Sequence, residues 1–226
     1  DRRTYSYLQS DGIGDFVFRS DTGANRRFNE VDDKITGLGA DFTLPLIDKD
    51  KLAWKMKIGG AYDKQDRESF ISRFRFEPDD SLEQELLLQP NPESFLTPDK
   101  VLSGEIDFFD DSQANEDYEG TAEVVGGYAM TDVEFFSSLR LVGGVRVEQS
   151  DFTVFTFQGG ADEGEIEGGF EETDLLPAFT ATYKFLEDMQ VRFGYSQTVS
   201  RPVLVELSAS RYFDPQQSDD YRGNPD

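Results

Sequence analysis

The 226-residue chain contains no cysteine and no histidine. The first absence excludes disulfides and thiolate metal sites. The second excludes Ser-His and Cys-His catalysis, imidazole general bases and His-ligated zinc. Positive charge is scarce: 22 Lys and Arg stand against 46 Asp and Glu, a net charge of -24. Such a chain repels phosphate backbones, so nucleic acid is not an expected partner. Long apolar runs are missing too, and none approaches the roughly 18–20 residues of a membrane helix. That test does not register a β-barrel, whose lipid-facing residues alternate with polar ones. The opening Asp1-Arg2-Arg3-Thr4-Tyr5 reads as the interior of a folded protein and not as a signal peptide.

Acidic composition often signals disorder, but 13% aromatic residues argue against it here. The informative pattern is alternation with period two. Leu38, Ala40, Phe42 and Leu44 share one side of a strand, as do Leu52, Trp54, Met56, Ile58, Gly60 and Tyr62. Further stripes are Tyr118, Ala122, Val124, Tyr128 and Met130; Leu139, Leu141, Val145 and Val147; Phe179, Ala181, Tyr183 and Phe185; and Met189, Val191, Phe193 and Tyr195. A weaker opening strand holds Tyr5 and Tyr7 in phase. The register predicts that Leu38, Phe42, Trp54, Met56, Leu141, Val145, Phe193 and Tyr195 point to one common face, since a one-residue slip reverses every side chain.

A soluble sandwich also alternates, so the connections carry the distinction. Residues 9–33, 63–117, 158–173 and the segment from Val199 onward are long. Pro45–Lys51, residues 131–137 and Leu186–Asp188 are short. Long and short connections therefore lie at opposite ends of the sheet, the asymmetry of outer-membrane barrels. The expected fold is all-β: an antiparallel up-and-down sheet, a partial segment of a transmembrane β-barrel, with a long extracellular loop containing short helices. Residues 1–226 form part of one barrel domain, with 63–117 as the long extracellular excursion and 158–173 as an acidic extracellular loop. Helix is expected only in the 77–100 region, where Asp79-Asp80-Ser81-Leu82-Glu83 opens a helix-like stretch to Leu88. Ile106, Phe108 and Phe109 suit a returning strand.

Chemistry-bearing motifs are few. Gly12-Ile13-Gly14 and Gly37-Leu38-Gly39 lack the third glycine and following helix of a dinucleotide loop. Carboxylates abound, but no pair is marked as belonging to a dry cleft, so catalysis is not expected. Asp162, Glu163 and Glu165, and separately Asp110 and Asp111, are oxygen-rich candidates for calcium; a solvated acidic loop is the plainer reading. No other cofactor is expected. Arg67, Arg73, Arg75 and Tyr118 are candidate ligand contacts. The polar-side cations Lys55, Lys57, Arg140, Arg146 and Arg192 are expected to pair with carboxylates in a lumen or against a plug, because inward charges need partners or water.

Leu175-Leu176-Pro177-Ala178-Phe179 and the run from Val191 through Ser196-Gln197-Thr198-Val199-Ser200-Arg201-Pro202 resemble the barrel of TonB-dependent receptors. Glu206-Leu207-Ser208, Arg211-Tyr212-Phe213-Asp214 and Gly223-Asn224-Pro225-Asp226 continue the resemblance, and Leu139–Glu148 is a strand pattern of the same family. Lys57–Tyr62 with Arg73-Phe74-Arg75-Phe76 is similar to a branch associated with carbohydrate uptake. The resemblance spans about residues 34–226. It implies about a third of a 22-stranded barrel, with the plug, the TonB-binding segment and the final barrel strand absent. It also implies location in the outer membrane of a Gram-negative bacterium, contact with outer-membrane lipid, and partnership with plug and TonB. The implied function is uptake of a scarce small-molecule nutrient, an oligosaccharide or an iron-siderophore. The alternatives are a soluble all-β carbohydrate-binding module and an acidic adhesion protein with calcium-stabilised loops. The isolated chain is expected to self-associate, because an open sheet leaves both an apolar stripe and two strand edges uncovered.

Overall fold

The computed structural model describes residues 2–5, 7–9, 16–18, 24–79, 96–158, 164–214 and 219–225. The chain divides into two compact units. The first comprises Asp1–Val31, Ser69–Asp117 and Phe157–Gly164; the second comprises Asp32–Glu68, Tyr118–Thr156 and Glu165–Asp226. The strands are β1 (Arg2–Tyr5), β2 (Tyr7–Gln9), β3 (Phe16–Phe18), β4 (Ala24–Lys49), β5 (Leu52–Pro78), β6 (Ile106–Asp110), β7 (Tyr118–Phe135), β8 (Leu139–Gln158), β9 (Gly164–Leu186), β10 (Met189–Ser196), β11 (Arg211–Asp214) and β12 (Asp219–Arg222). The main sheet runs β1-β4-β5-β7-β8-β9-β10, with β6 paired to β5. Neighbours along the sheet follow one another in sequence apart from short excursions, so the architecture is the expected antiparallel up-and-down sheet of a β-barrel.

In the second unit the apolar stripes occupy one face. Leu38 and Phe42 of β4, Trp54 and Met56 of β5, Val145 and Val147 of β8, and Phe193 and Tyr195 of β10 are all exposed. Contacts across the sheet fix their common side. Trp54 Nε1 donates to Thr131 Oγ1 at 2.7 Å. Leu141 stands opposite Val133 and Val145 opposite Ala129. A Cβ on Gly143 would meet the Phe179 ring, and Tyr195 pairs with Phe179. The predicted common face is therefore the observed one.

One strand departs from the reading. The even residues Tyr118, Ala122, Val124, Tyr128 and Met130 of β7 were expected to form its outward stripe. They lie on the opposite, polar face: the Tyr128 hydroxyl donates to Asp41 Oδ1 at 2.6 Å, and Asp41 alternates with the exposed Ala40 and Phe42. The exposed positions of β7 are odd: Val125, Gly127, Ala129 and Thr131. The physical reason is a small core on the polar face. Tyr118, Ala122, Phe152 and Val154 are buried against Leu204 and Leu207. Those two leucines come from α2 (Leu204–Leu207). Phe152 and Phe170 rings pack with centroids 4.9 Å apart. Both faces of β7 thus carry apolar residues, and alternation alone does not say which is outward.

Strand lengths and helices also differ. β9 begins at Gly164, so most of the stretch read as an acidic loop is strand. β4 already begins at Ala24. The returning strand is β6, with Phe76 opposite Phe108 and Arg75 opposite Phe109. Helix α1 (Pro98–Ser103) starts within the expected region and ends beyond it, and α2 was not expected. The helix-like 79–88 stretch lies almost wholly outside the described residues.

The short connections are tight. Phe136 (φ 50°) and Ser137 (φ 57°) both occupy the left-handed region, and Ser138 N donates to Phe135 O at 3.0 Å. Primed turns of this kind suit hairpins but favour glycine. Ser137→Gly is expected to stabilise the native protein by about 1 kcal/mol, by removing the left-handed penalty of a side chain. The urea midpoint of the detergent-solubilised protein reads this out; a lowered midpoint would contradict it.

Candidate functional site

Charge organises the polar face of the second unit. Arg67 of β5 pairs with Asp33 of β4, and Gln65 Nε2 donates to the same carboxylate at 2.8 Å. The Arg67 guanidinium also lies near Tyr118, which is buried. Donation from Arg67 and then from Gln65 holds the Asp33 carboxyl below its ordinary pKa, against a smaller opposing effect of burial. Its folded pKa is depressed, so its stabilisation is present above the unfolded pKa and is lost as pH falls through the folded one. The urea midpoint of the native protein should therefore fall more steeply below about pH 4 than that of Asp33→Asn. Parallel profiles would refute this.

A second network holds the chain beyond β10. Arg201 donates to Asp174 Oδ2 at 2.7 Å and pairs with Glu148 at 2.8 Å. Glu148 also accepts from Arg146. The side chains of Arg201, Asp174 and Glu148 are 17%, 16% and 12% exposed and that of Arg146 33%, so two cations and two anions balance in a site with limited access to water. Ala209 N donates to Thr156 Oγ1 at 2.9 Å, and Arg222 Nε to Ala209 O at 3.0 Å. The Gly-Asn-Pro segment closes the arrangement: Asn224 N donates to Glu206 O at 2.7 Å. A Cβ on Gly223 would lie 2.2 Å from Ser208 O, so only glycine allows this approach. Residues 201–209 and 222–224 are thereby strapped across β7, β8 and β9.

The first unit carries the other candidates. Arg73 pairs with buried Glu116. Arg75 pairs with Glu77 and, at 2.7 Å, with Asp111, and it lies 4.8 Å from the Phe109 ring centroid. Ile71 N donates to Asp117 Oδ1 at 2.7 Å; burial raises that carboxyl's pKa, and this hydrogen bond opposes the rise. The opposite side of the β5–β6 ribbon is aromatic. Phe74 and Phe108 stack at 5.1 Å, Phe76 and Phe108 meet at 5.4 Å, and Phe28 meets Phe74 edge-on at 5.9 Å. Beside them is a cleft of about 780 Å³ lined by Phe76, Phe108, Leu96, Pro98, Val101 and Arg26, among others.

The expected ligand contacts Arg67, Arg73 and Arg75 are thus each tied to a carboxylate, and Tyr118 belongs to the small core. The expectation that Arg140 and Arg146 pair with carboxylates is met: Arg140 grips Asp132 through two hydrogen bonds of 2.9 and 2.6 Å. Of the calcium candidates, Asp162 and Glu163 lie outside the described residues. Glu165 is exposed on β9, Asp111 is paired with Arg75, and Asp110 accepts from Ser112 N at 3.0 Å. Among the described residues no three acidic side chains converge. Residue-level reading missed Arg201, Glu148 and Asp174; the Ser200-Arg201-Pro202 motif was their signal.

Toward the long-connection end, charged and polar groups bound the apolar face. Tyr62 donates to Glu123 at 3.3 Å, Lys64 bridges Asp66 and Glu123, and Gln149 donates to Glu171 at 2.9 Å. On β5 the apolar stripe from Leu52 to Tyr62, exposed at Trp54, Met56 and Ile58, matches the roughly 9–11 residues of a membrane-crossing strand. An exposed apolar belt of that height, a polar face of paired charges and tight turns at one end define a wall of an outer-membrane β-barrel. The chain belongs to the TonB dependent receptor-like β-barrel family, which matches residues 1–226. Comparison with curated proteins gave no match. The family is one of outer-membrane transporters of Gram-negative bacteria, not of enzymes, and works with a plug and with TonB.

Proposed function

We propose that this barrel takes up a neutral oligosaccharide, and that its first capture is made in the first unit, in the region read as extracellular. The observation that carries the reading is the aromatic ribbon of Phe28, Phe74, Phe76 and Phe108 beside a large, mainly apolar cleft. Sugar rings present flat C–H faces that pack on the electron-rich faces of aromatic rings. Phe108 is half exposed and so open to a ligand. Ferric siderophores, the other substrate class considered, are commonly anionic, and a net charge of -24 disfavours their approach. Calcium has no support beyond the acidic sequence itself.

The test is calorimetric titration of the native receptor with a panel of neutral oligosaccharides and of ferric siderophores. Binding of an oligosaccharide, weakened about tenfold by Phe108→Ala, is expected; losing one stacking face of about 1.4 kcal/mol gives that factor. Binding of a siderophore alone, unaffected by Phe108→Ala, would overturn the reading.

A further inference from the structure

On the polar face of the second unit, two planar groups lie flat along the sheet. The Tyr128 side chain of β7 reaches across β5 to β4, where its hydroxyl donates to Asp41 Oδ1 at 2.6 Å. That reach covers two strand spacings, about 9.6 Å, so the ring runs along the sheet and does not stand away from it. Gly59 of β5 lies beneath it: a Cβ there would come 2.7 Å from Tyr128 Cε1 and 2.2 Å from Asp41 Oδ1. Beside the ring, Arg146 of β8 leans over Gly126 of β7, whose Cβ would come 2.6 Å from Arg146 Nη2 and 2.9 Å from its Cζ. Neither glycine has a positive φ; among the described glycines only Gly104 and Gly169 do. The backbone therefore does not require glycine at 59 or 126, whereas the planar groups above them do. Tyr128 is half-buried and Asp41 exposed, and Arg146, paired with Glu148, keeps a third of its side chain exposed. One face of the ring rests on the backbone of β5, and the half-exposed residue presents the other.

We propose that this patch is a second sugar-binding subsite, set in the barrel wall at the depth of the apolar belt. Its depth follows from Ala129, next to Tyr128, which stands opposite the exposed Val145. One ring of a neutral oligosaccharide would lay its C–H face on Tyr128. The hydroxyls around its rim would meet Asp41, an acceptor, at one edge and Arg146, a donor, at the other. An anion would face the Asp41 carboxylate, and a wholly apolar ligand would strip water from Asp41 and Arg146 without replacing it. A sugar, apolar on its face and polar around its rim, matches both features. The proposal rests on the oligosaccharide reading above and on the polar face being the lumenal one. A sugar held here after capture moves onward more often than it returns, so the subsite acts on the rate of passage and not on the affinity of capture.

The test is uptake, in cells carrying the full-length receptor, of the neutral oligosaccharide that binds tightest in the calorimetric panel, labelled with tritium. Rates are taken per receptor folded in the outer membrane. Tyr128→Leu keeps apolar bulk over Gly59 but has no ring face. It is expected to lower the maximal uptake rate about tenfold, the factor carried by one lost stacking contact. Its calorimetric Kd should match that of the native receptor, whereas Phe108→Ala shifts the Kd. Tyr128→Phe keeps the ring and loses only the hydroxyl, so it should retain most of the rate. Three results would overturn the proposal. One is native uptake by Tyr128→Leu. Another is an equal loss in both Tyr128 variants, which would mark the Asp41 hydrogen bond as a structural tie. The third is weakened calorimetric binding by Tyr128→Leu, which would make Tyr128 part of the first capture. If no neutral oligosaccharide binds the native receptor, the capture reading falls and the subsite with it; binding together with unaltered uptake by Tyr128→Leu overturns the subsite alone.

Discussion

Glu148→Ala is expected to lower the stability of the native receptor by about 3–5 kcal/mol, the cost of breaking a buried pair and leaving a charge uncompensated. Glu148 accepts from Arg146 and pairs with Arg201. Without it Arg146 has no described partner, Arg201 keeps only Asp174, and a site that was balanced carries excess positive charge under the strap. Removing the anion should also loosen the strap, because Arg201 anchors its start. The replacement Glu148→Gln keeps an acceptor but not the charge and should cost less. Urea unfolding of detergent-solubilised receptor reads the loss, and limited proteolysis between Val203 and Asp226 reads the loosening. An unchanged midpoint for Glu148→Ala would show that the quartet is incidental to the fold.

The strap shows where sequence reading stops. Ser200-Arg201-Pro202 and Gly223-Asn224-Pro225 stand out as motifs, but the partners that give them meaning, Glu148, Asp174, Ser208 and Glu206, are brought close only by folding. Arg140 was legible as paired because its strand alternation placed it on the charged face; that Asp132 is its partner is a matter of register between β7 and β8. The candidate contacts Arg67, Arg73 and Arg75 looked available for ligand in one dimension. In three dimensions carboxylates from β4, β5 and the β6–β7 connection already occupy them. The aromatic ribbon was partly visible as alternating Phe74 and Phe76, while Phe28 and Phe108 join it only through strand pairing. Membrane-strand positions were legible because lipid imposes one simple demand, an apolar belt of fixed height. Strand lengths were not, since beyond the belt β4 and β9 continue with polar residues on both faces and alternation ceases to mark them.

β7 offers the sharpest test of the resulting orientation, because its sequence reads equally well in either phase. Ala129 lies opposite Val145 on the exposed face near the middle of the belt. Met130 lies on the polar face, where a Cβ on Gly144 would meet it. Ala129→Arg should therefore cost about 2–4 kcal/mol, the penalty of a cation on the lipid face at mid-depth. Met130→Arg should cost less than half of that, since a charge on the polar face reaches water and the neighbouring Asp132 side of the strand. In the phase that alternation first suggests, the order of the two reverses, because a one-residue slip exchanges the faces. The comparison is internal: both variants place the same side chain at neighbouring positions of one strand. Folding into phosphatidylcholine vesicles, followed by the urea midpoint of each variant, measures it. A larger loss for Met130→Arg than for Ala129→Arg would return Tyr128 and Met130 to the lipid, and the Tyr128–Asp41 hydrogen bond and the buried Tyr118–Leu204 core would then have to be abandoned with them.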